Sequence, residues 1–191
     1  MRKSLFILTP LFATLLATSS LTQAASNGQI TISGSVVDVT CDVSVPASLN
    51  LGNFARTAFS TVSTPVAGST QPFKVALTNC TTPAANATAN VIISGNTLAG
   101  NTNIFNKTDD IAGVMISTEA EPTTYLKSGD KIQIAKAAAA STGSGGSATP
   151  GPTAGDFNQK TLTFQAGLAS IVTTPDARQI EAPITFSFAY N

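Results

Sequence analysis

Apolar and polar residues alternate with a period of two along most of the chain after position 28, a pattern typical of β-strands with one buried face. The segments that alternate in this way, or that form short apolar runs, are 29–39, 73–80, 91–93, 114–116, 131–134, 162–168 and 184–190. Turn sequences such as Ser94-Gly95-Asn96 and Ser128-Gly129-Asp130 separate them. Short strands with β-branched and aromatic inner faces predict an all-β sandwich with almost no helix.

One segment departs from this pattern. Residues 135–156 read AKAAAASTGSGGSATPGPTAGD, where an alanine run that could start a helix is soon stopped by glycine and proline. We therefore predict a flexible, exposed loop with at most one helical turn at its start. A linker between two domains is the alternative, but residues 157–191 alone are fewer than usually fold independently. The prediction is a single domain over residues 25–191.

Composition narrows the class of protein. The chain has 191 residues, of which 42% are hydrophobic and 10% charged, and the formal net charge is zero. This hydrophobic content is enough for a packed core and argues against disorder. The charged fraction is well below the usual quarter, and such surfaces suit secreted β-proteins that pack side by side. The zero net charge gives no indication of a nucleic-acid partner.

Residues 1–24 are predicted to be a signal peptide. Two basic residues at positions 2 and 3 precede an apolar stretch over 5–17, and Thr22-Gln23-Ala24 offers a cleavage site. Cleavage after Ala25 is the alternative, although it would put Gln23 where a small residue is wanted. A membrane anchor is a second alternative, but the stretch is interrupted and shorter than the roughly 20 apolar residues that a span needs. We expect an exported protein.

The chain contains two cysteines, Cys41 and Cys80, separated by 39 positions. An even number of cysteines in an exported chain predicts a disulfide. Closing a loop of this size should stabilise the fold by about 4 kcal/mol on the chain-entropy model. A metal pair or a redox pair is the alternative, and it fits less well because the chain has no histidine and no C-x-x-C sequence.

No catalytic set is recognisable in the sequence. Without histidine, the commonest general base and the Ser-His-Asp arrangement are absent. No phosphate-binding loop, dinucleotide-binding glycine motif or G-x-S-x-G sequence occurs. The neighbouring acids Asp109-Asp110 and the pair Glu119 and Glu121 are typical of solvated turns. We therefore expect neither an enzyme nor a cofactor or metal.

Both ends of the predicted mature chain carry alternating apolar strands. Domain termini are usually loose unless something holds them, and an ordinary sandwich could pair these strands within its own sheet. The functional interpretation is that one end is offered to another subunit. An added strand gains affinity from main-chain hydrogen bonds and specificity from alternate side chains in pockets. About ten extended residues reach roughly 33 Å, enough to lie along a whole sheet.

The sequence resembles the chaperone–usher fimbrial subunits, of the type 1 fimbrial major-subunit kind. The matching segments keep the family's order along nearly the whole mature chain. They are 28–37 (GQITISGSVV) followed by Cys41, Leu51-Gly52 with Arg56-Thr57, 73–80 (FKVALTNC), 164–166 (FQA) and 186–191 (FSFAYN). The loop at 135–156 is not part of this pattern.

The resemblance implies an incomplete immunoglobulin-like β-sandwich that lacks its last strand and exposes an apolar groove. In this family a periplasmic chaperone fills the groove. At an outer-membrane usher the N-terminal strand of the next subunit then replaces the chaperone. The resemblance thus implies a homopolymer at the cell surface that supports adhesion, completed by donor-strand exchange.

The resemblance also assigns roles to individual residues. Within a donor strand at 25–37, Gly34 would allow close backbone approach, with a simple bulge as its alternative, and the side chains entering the neighbour's pockets would be Ile30, Ile32 and Val36. The strand that borders the groove and pairs with the chaperone would carry Ile184, Phe186, Phe188 and Tyr190, for which ordinary core is the alternative. Cys41 and Cys80 match the family's disulfide.

Two alternatives to a polymerising subunit remain at this stage. One is a stand-alone secreted β-sandwich that binds carbohydrate or another ligand, which the absence of tryptophan and the presence of only two tyrosines disfavour. The other is a monomer whose own N-terminal strand fills its own groove. Among fimbrial subunits, we expect a major shaft subunit or a minor adaptor rather than an adhesin, which would need an additional receptor-binding domain.

Overall fold

The computed structural model describes residues 40–108, 111–141 and 150–191. The predicted signal peptide and the predicted donor strand at 25–37, with Ile30, Ile32, Gly34 and Val36, lie outside the described residues. Their assignments stay predictions.

The described chain contains nine strands and two short 3-10 turns. The strands are β1 (Asp42–Ser44), β2 (Gln71–Thr78), β3 (Thr88–Gly95), β4 (Thr97–Leu98), β5 (Asn101–Phe105), β6 (Ala112–Thr118), β7 (Lys131–Lys136), β8 (Thr161–Ser170) and β9 (Ile184–Tyr190). The 3-10 turns are Arg56–Ala58 and Ala154–Asp156. No α-helix occurs within the three described ranges, and the all-β prediction is confirmed.

The strands form two sheets in which every pairing is antiparallel. The larger sheet has the order β1-β2-β8-β6-β5-β4, and the smaller has the order β7-β3-β9. In the larger sheet β8 pairs along most of its length with both β2 and β6. In the smaller sheet β3 is central, and β9 pairs with it from Ile184 to Tyr190.

The main core lies between the sheets because alternate side chains of each strand point inward. Val75 and Leu77 of β2, Val91 and Ile93 of β3 and Phe164 of β8 are fully buried there. A second, smaller cluster covers the other face of the larger sheet and consists of Leu98, Ile104, Met115 and Ala169. Both faces of β6 are therefore buried, which explains the unbroken apolar run at 114–116.

The predicted loop at 135–156 begins inside the smaller sheet. Ala135 is buried and pairs with Ala89, and the N–H of Ala137 donates to the carbonyl of Ala87 at 2.8 Å. No helical turn forms at this end, because β3 offers the alanine run an open row of backbone partners that a helix could not use. A 3-10 turn, Ala154–Asp156, stands at the far end instead.

None of the described residues belongs to a helix long and apolar enough to cross a bilayer.

Candidate functional site: a groove beside the last strand

A cavity of about 900 Å³ opens along one side of the sandwich. One wall is formed by residues 45–54, which follow β1, and the other by residues 175–186, which lead into β9. The floor is apolar and comes mainly from the larger sheet: Phe59, Phe73, Val114, Ile116, Ala166 and Leu168. We call this cavity the groove. Its floor consists of core side chains of the larger sheet, of which Phe73 is half-buried and the others are buried.

Among the described strands, the smaller sheet ends at β9, whose one partner is β3. No described strand pairs with its other edge, and a sheet edge without a partner presents backbone groups to which an extended strand can add. Along β9 the apolar side chains alternate with the exposed Thr185 and Ser187. Ile184 and Phe186 line the groove and are only half-buried. An open edge above a half-buried apolar row is the geometry that accepts an extended peptide.

Phe188 and Tyr190 continue this row, but they do not line the groove. Tyr190 packs edge-on against Phe157, with ring centroids 6.5 Å apart, and its hydroxyl accepts a hydrogen bond from the N–H of Ala84 at 3.2 Å. The four residues predicted for the groove strand thus share one strand, and the first two border the cavity.

Three phenylalanine rings join the sheets beneath the groove. The ring centroid of Phe164 in β8 lies 5.6 Å from that of Phe73 in β2 and 5.3 Å from that of Phe186 in β9. The ring centroids of Phe73 and Phe186 are 5.7 Å apart. Contacts at these separations are favourable beyond the area they bury. The sequence predicts Phe186 as part of the site but not Phe73, whose place in the floor follows from its pairing with Phe164 across β2 and β8.

The chain pairs with β2 over the three residues of β1 and then leaves the sheet to form the wall at 45–54. β1 pairs with Ala76–Thr78 of β2, and just before it Cys41 is bonded to Cys80, so the predicted disulfide is confirmed. Beyond Ser44 the wall contains no strand, and its apolar side chains Val45 and Leu49 are 42% and 40% exposed. Large apolar side chains exposed beside a cavity are typical of a surface that another chain covers.

The two walls are joined at one end by Arg56, in the 3-10 turn after the first wall. Its Nε donates to the carbonyl of Pro175 at 2.7 Å, and its guanidinium also donates to the carbonyl of Thr174 at 3.2 Å. The same group lies 2.9 Å from a carboxylate oxygen of Asp176. Beside it, the N–H of Thr174 donates a hydrogen bond to the carbonyl of Phe59 at 3.0 Å. We call these four interactions the Arg56 tie.

Asp156, whose carboxyl has a shifted pKa, lies outside the groove lining. The N–H of Ala138, 2.7 Å from Asp156 Oδ2, and the hydroxyl of Thr153 lower the pKa of the Asp156 carboxyl. These bonds favour the charged form and hold together the two ends of the segment between β7 and β8. In the described ranges, no group of three or more acidic or cysteine side chains is placed to hold a metal ion.

Comparisons with known proteins agree with this architecture. A family model described as "Fimbrial protein" matches residues 30–191. The crystal structure of the P pilus rod subunit PapA is similar with a TM-score of 0.51 at 13% identity, over 79% of this chain and 99% of that one. A subunit from the structure of a chaperone–usher pilus, solved to explain rod uncoiling, has a TM-score of 0.45 at 14% identity, over 87% of this chain and 97% of that one. No curated protein sequence matches. The likeness to the rod subunit shows a pilin-type, immunoglobulin-like sandwich.

Proposed function

The chain belongs to the fimbrial protein family, and we propose that its copies polymerise by placing residues 25–37 of one subunit in the groove of the next. Members of this family are structural subunits of surface fimbriae rather than enzymes, and they are exported to the cell surface. The proposal concerns the way in which one copy of this chain joins the next.

The observation that carries the proposal is the groove beside the β9 edge with which no strand in the described ranges pairs. In the described part of the chain the smaller sheet has three strands against six in the larger sheet, so part of the floor has no described strand opposite it. An added strand next to β9 would pair this edge and cover the half-buried side chains of Phe73, Ile184 and Phe186, all of which line the cavity. Both the backbone hydrogen bonds and the removal of apolar surface from water would favour this complex.

The N-terminal segment has the pattern that such a strand requires. Ile30, Ile32, Gly34 and Val36 fall on one face by alternation. β9 has seven residues and spans about 23 Å, so a strand of about ten residues, roughly 33 Å long, covers it fully. A glycine in the third of these positions would let the backbone come close to the floor.

The wider assembly pathway is part of the proposal. A groove that exposes apolar side chains and an unpaired edge is prone to aggregate before a neighbour arrives. A periplasmic chaperone would cover it first, and an outer-membrane usher would bring the next subunit to it. The resulting fibre would support cell adhesion.

The test compares charge substitutions on the two faces of the donor strand. Ile30→Asp with Ile32→Asp would place two carboxylates against the apolar floor and should abolish polymerisation, because burying unpaired charge is strongly unfavourable. The matched control, Thr31→Asp with Ser33→Asp, adds the same charge to the opposite face and should polymerise normally.

Polymerisation is read by electrophoresis in SDS of boiled and unboiled samples. A ladder that collapses to one band on boiling is expected for the wild type and the control, and a single band for the isoleucine variant. Deletion of residues 25–36 should also give a single band. Normal ladders from the isoleucine variant or the deletion would refute donor-strand exchange. A single wild-type band without boiling would indicate a self-contained sandwich.

A further inference from the structure

The sandwich has two ends, which the directions of its strands define. β2 finishes next to the Cys41–Cys80 disulfide, and β9 finishes near it as well, because the Tyr190 hydroxyl accepts a hydrogen bond from the N–H of Ala84. β8 is antiparallel to β2 and therefore finishes at the opposite end, where β9 begins. We call these the disulfide end and the far end.

An uncharged apolar patch lies at the far end. Two hydrogen bonds between main-chain groups bring residues 59–63 beside residues 170–174. Each segment carries a large apolar side chain that is exposed to solvent, Val62 at 48% and Val172 at 38%. We call these two side chains the valine patch. Neither segment contains a charged residue, and Phe59 lines the groove, so the patch adjoins the groove.

The proposed donor strand is joined to the disulfide end by a short connection. Thr40 is held there, because its N–H donates to the hydroxyl of Thr81 at 3.1 Å and its carbonyl accepts from the N–H of Thr81 at 3.0 Å. Residues 38 and 39 alone separate Thr40 from the strand at 25–37, and so short an extended chain spans at most about 11 Å. The body of a donating subunit must therefore lie against the end of the groove from which its strand emerges.

The direction of the inserted strand decides which end of the receiving subunit is covered. A strand parallel to β9 would emerge at the disulfide end, where the receiving subunit's own donor strand departs, and the two neighbours would compete for the same space. A strand antiparallel to β9 emerges at the far end, so each subunit receives at one end and donates at the other. This head-to-tail contact gives an open filament. All described strand pairs are antiparallel, the slightly more stable arrangement.

We propose that the valine patch is the contact surface for the disulfide end of the subunit whose strand fills the groove. This inference rests on the proposed function and adds a second contact between the same two copies of the chain. The turn that follows Cys80 suits the patch, because its exposed residues Thr81, Thr82 and Ala84 are uncharged, and charged residues are depleted in interface cores.

The exposed apolar side chains of the described ranges fit this arrangement. Val45 and Leu49, which are also exposed, belong to the groove wall, where an inserted strand covers them. Val62 and Val172 do not line the groove, so the strand alone leaves them in water. The body of the donating subunit, held close by residues 38 and 39, covers them.

The experiment is a competition between a whole subunit and a peptide of residues 26–37 for the groove. The mature chain is refolded from denaturant at a fixed concentration with increasing peptide, and native mass spectrometry gives the fraction of chains in oligomers. The peptide carries the strand but no body, so only the subunit gains from the valine patch. The peptide concentration that halves the oligomer fraction, the half-inhibiting concentration, therefore reports the contribution of the patch.

Variants at the patch should make the peptide a better competitor. Val62→Asp and Val172→Asp each place a carboxylate in the proposed contact and should each lower the half-inhibiting concentration about tenfold, because burying an unpaired charge is unfavourable. Val62→Ser and Val172→Ser remove apolar surface without adding charge and should lower it about threefold. The matched control is Gln133→Asp, which adds one charge at an exposed position in the middle of β7 and should behave as the wild type.

The outcomes separate this inference from the proposed function. Unchanged half-inhibiting concentrations in the variants of Val62 and Val172 overturn the contact and leave strand insertion intact. A decrease in Gln133→Asp equal to that in the valine-to-aspartate variants also overturns it, because added charge anywhere would then explain the effect. Failure of the peptide to reduce wild-type oligomers at any concentration refutes both. Where an aspartate variant does not refold, the serine variant at the same position decides.

Discussion

Replacing Phe186 by alanine should destabilise the protein less when the groove is empty than when a strand fills it. Phe186 is half-buried, lines the groove and contacts the rings of Phe73 and Phe164. A strand lying beside β9 would cover its exposed side. The free-energy cost of the substitution therefore reports whether the groove is occupied.

The magnitude follows from burial. Truncating a fully buried phenylalanine to alanine costs about 3–5 kcal/mol, so a half-buried ring should cost about 2 kcal/mol and the same ring under a strand about 4 kcal/mol. The difference of about 2 kcal/mol corresponds to a roughly 30-fold higher dissociation constant for the inserted strand. Phe164 is fully buried already, so Phe164→Ala should cost about 4 kcal/mol whether or not a strand is bound.

The assay is urea unfolding with and without the peptide of residues 26–37. The chain carries Ile30→Asp and Ile32→Asp, so that its own N-terminal strand does not compete. At one fixed peptide concentration, the stabilisation by peptide should be about 2 kcal/mol smaller in Phe186→Ala than in its parent, provided that the concentration is well above both dissociation constants. In Phe164→Ala the stabilisation by peptide should match that of the parent.

Equal stabilisation by peptide in Phe186→Ala and its parent would refute the reasoning, because the ring would then not be covered by the inserted strand. A reduced stabilisation in Phe164→Ala as well would mean that the core, rather than the groove wall, controls peptide binding.

Three further predictions follow from other parts of the chain. Gly34→Val should lower fibre yield through steric conflict with the groove floor, whereas Ser35→Val on the opposite face should not; equal yields by quantitative electron microscopy would contradict this. Replacing Cys41 and Cys80 by alanine should lower the free energy of unfolding in urea by about 4 kcal/mol, and a loss below about 1 kcal/mol would show that loop closure matters little here. The pKa of Asp156 is lowered in the folded chain, so its contribution is present above the unfolded pKa and is lost as pH falls through the folded pKa. Asp156→Asn should therefore be less stable than the wild type at neutral pH and equal to it well below about pH 4, and a difference that persists in acid would contradict this origin.

Most of the strands could be predicted because one buried face leaves a period-two pattern in the sequence. β2, β8 and β9 follow that pattern closely, and their inner residues are those that pack in the core. β5 was missed because Asn101, Thr102 and Asn103 carry no apolar signal. It forms a strand because β4 and β6 lie on either side of it and offer backbone partners, a tertiary effect that local sequence does not report.

The site was predictable only on the side of β9. The opposite wall, residues 45–54, has no regular alternation, and the exposure of Val45 and Leu49 depends on how the chain leaves the sheet after Ser44. The Arg56 tie joins positions 118 and 119 residues apart through backbone carbonyls. A carbonyl is present at every residue, so such a contact has no sequence signature.

The covalent and polar ties of the walls explain how a groove with an apolar floor can stay open. Collapse of the wall at 45–54 onto Phe73 and Leu168 would bury apolar surface and is favoured by the hydrophobic effect. That wall is held by the Cys41–Cys80 disulfide before its first residue and by Arg56 after its last. Neither tie involves an inserted strand, so the walls are already ordered when a strand arrives. The strand then gains edge hydrogen bonds and apolar contacts without the additional entropic cost of ordering the groove. The entropic cost of ordering the walls arises during folding instead. The disulfide reduces this cost because it restricts the conformations of the unfolded chain.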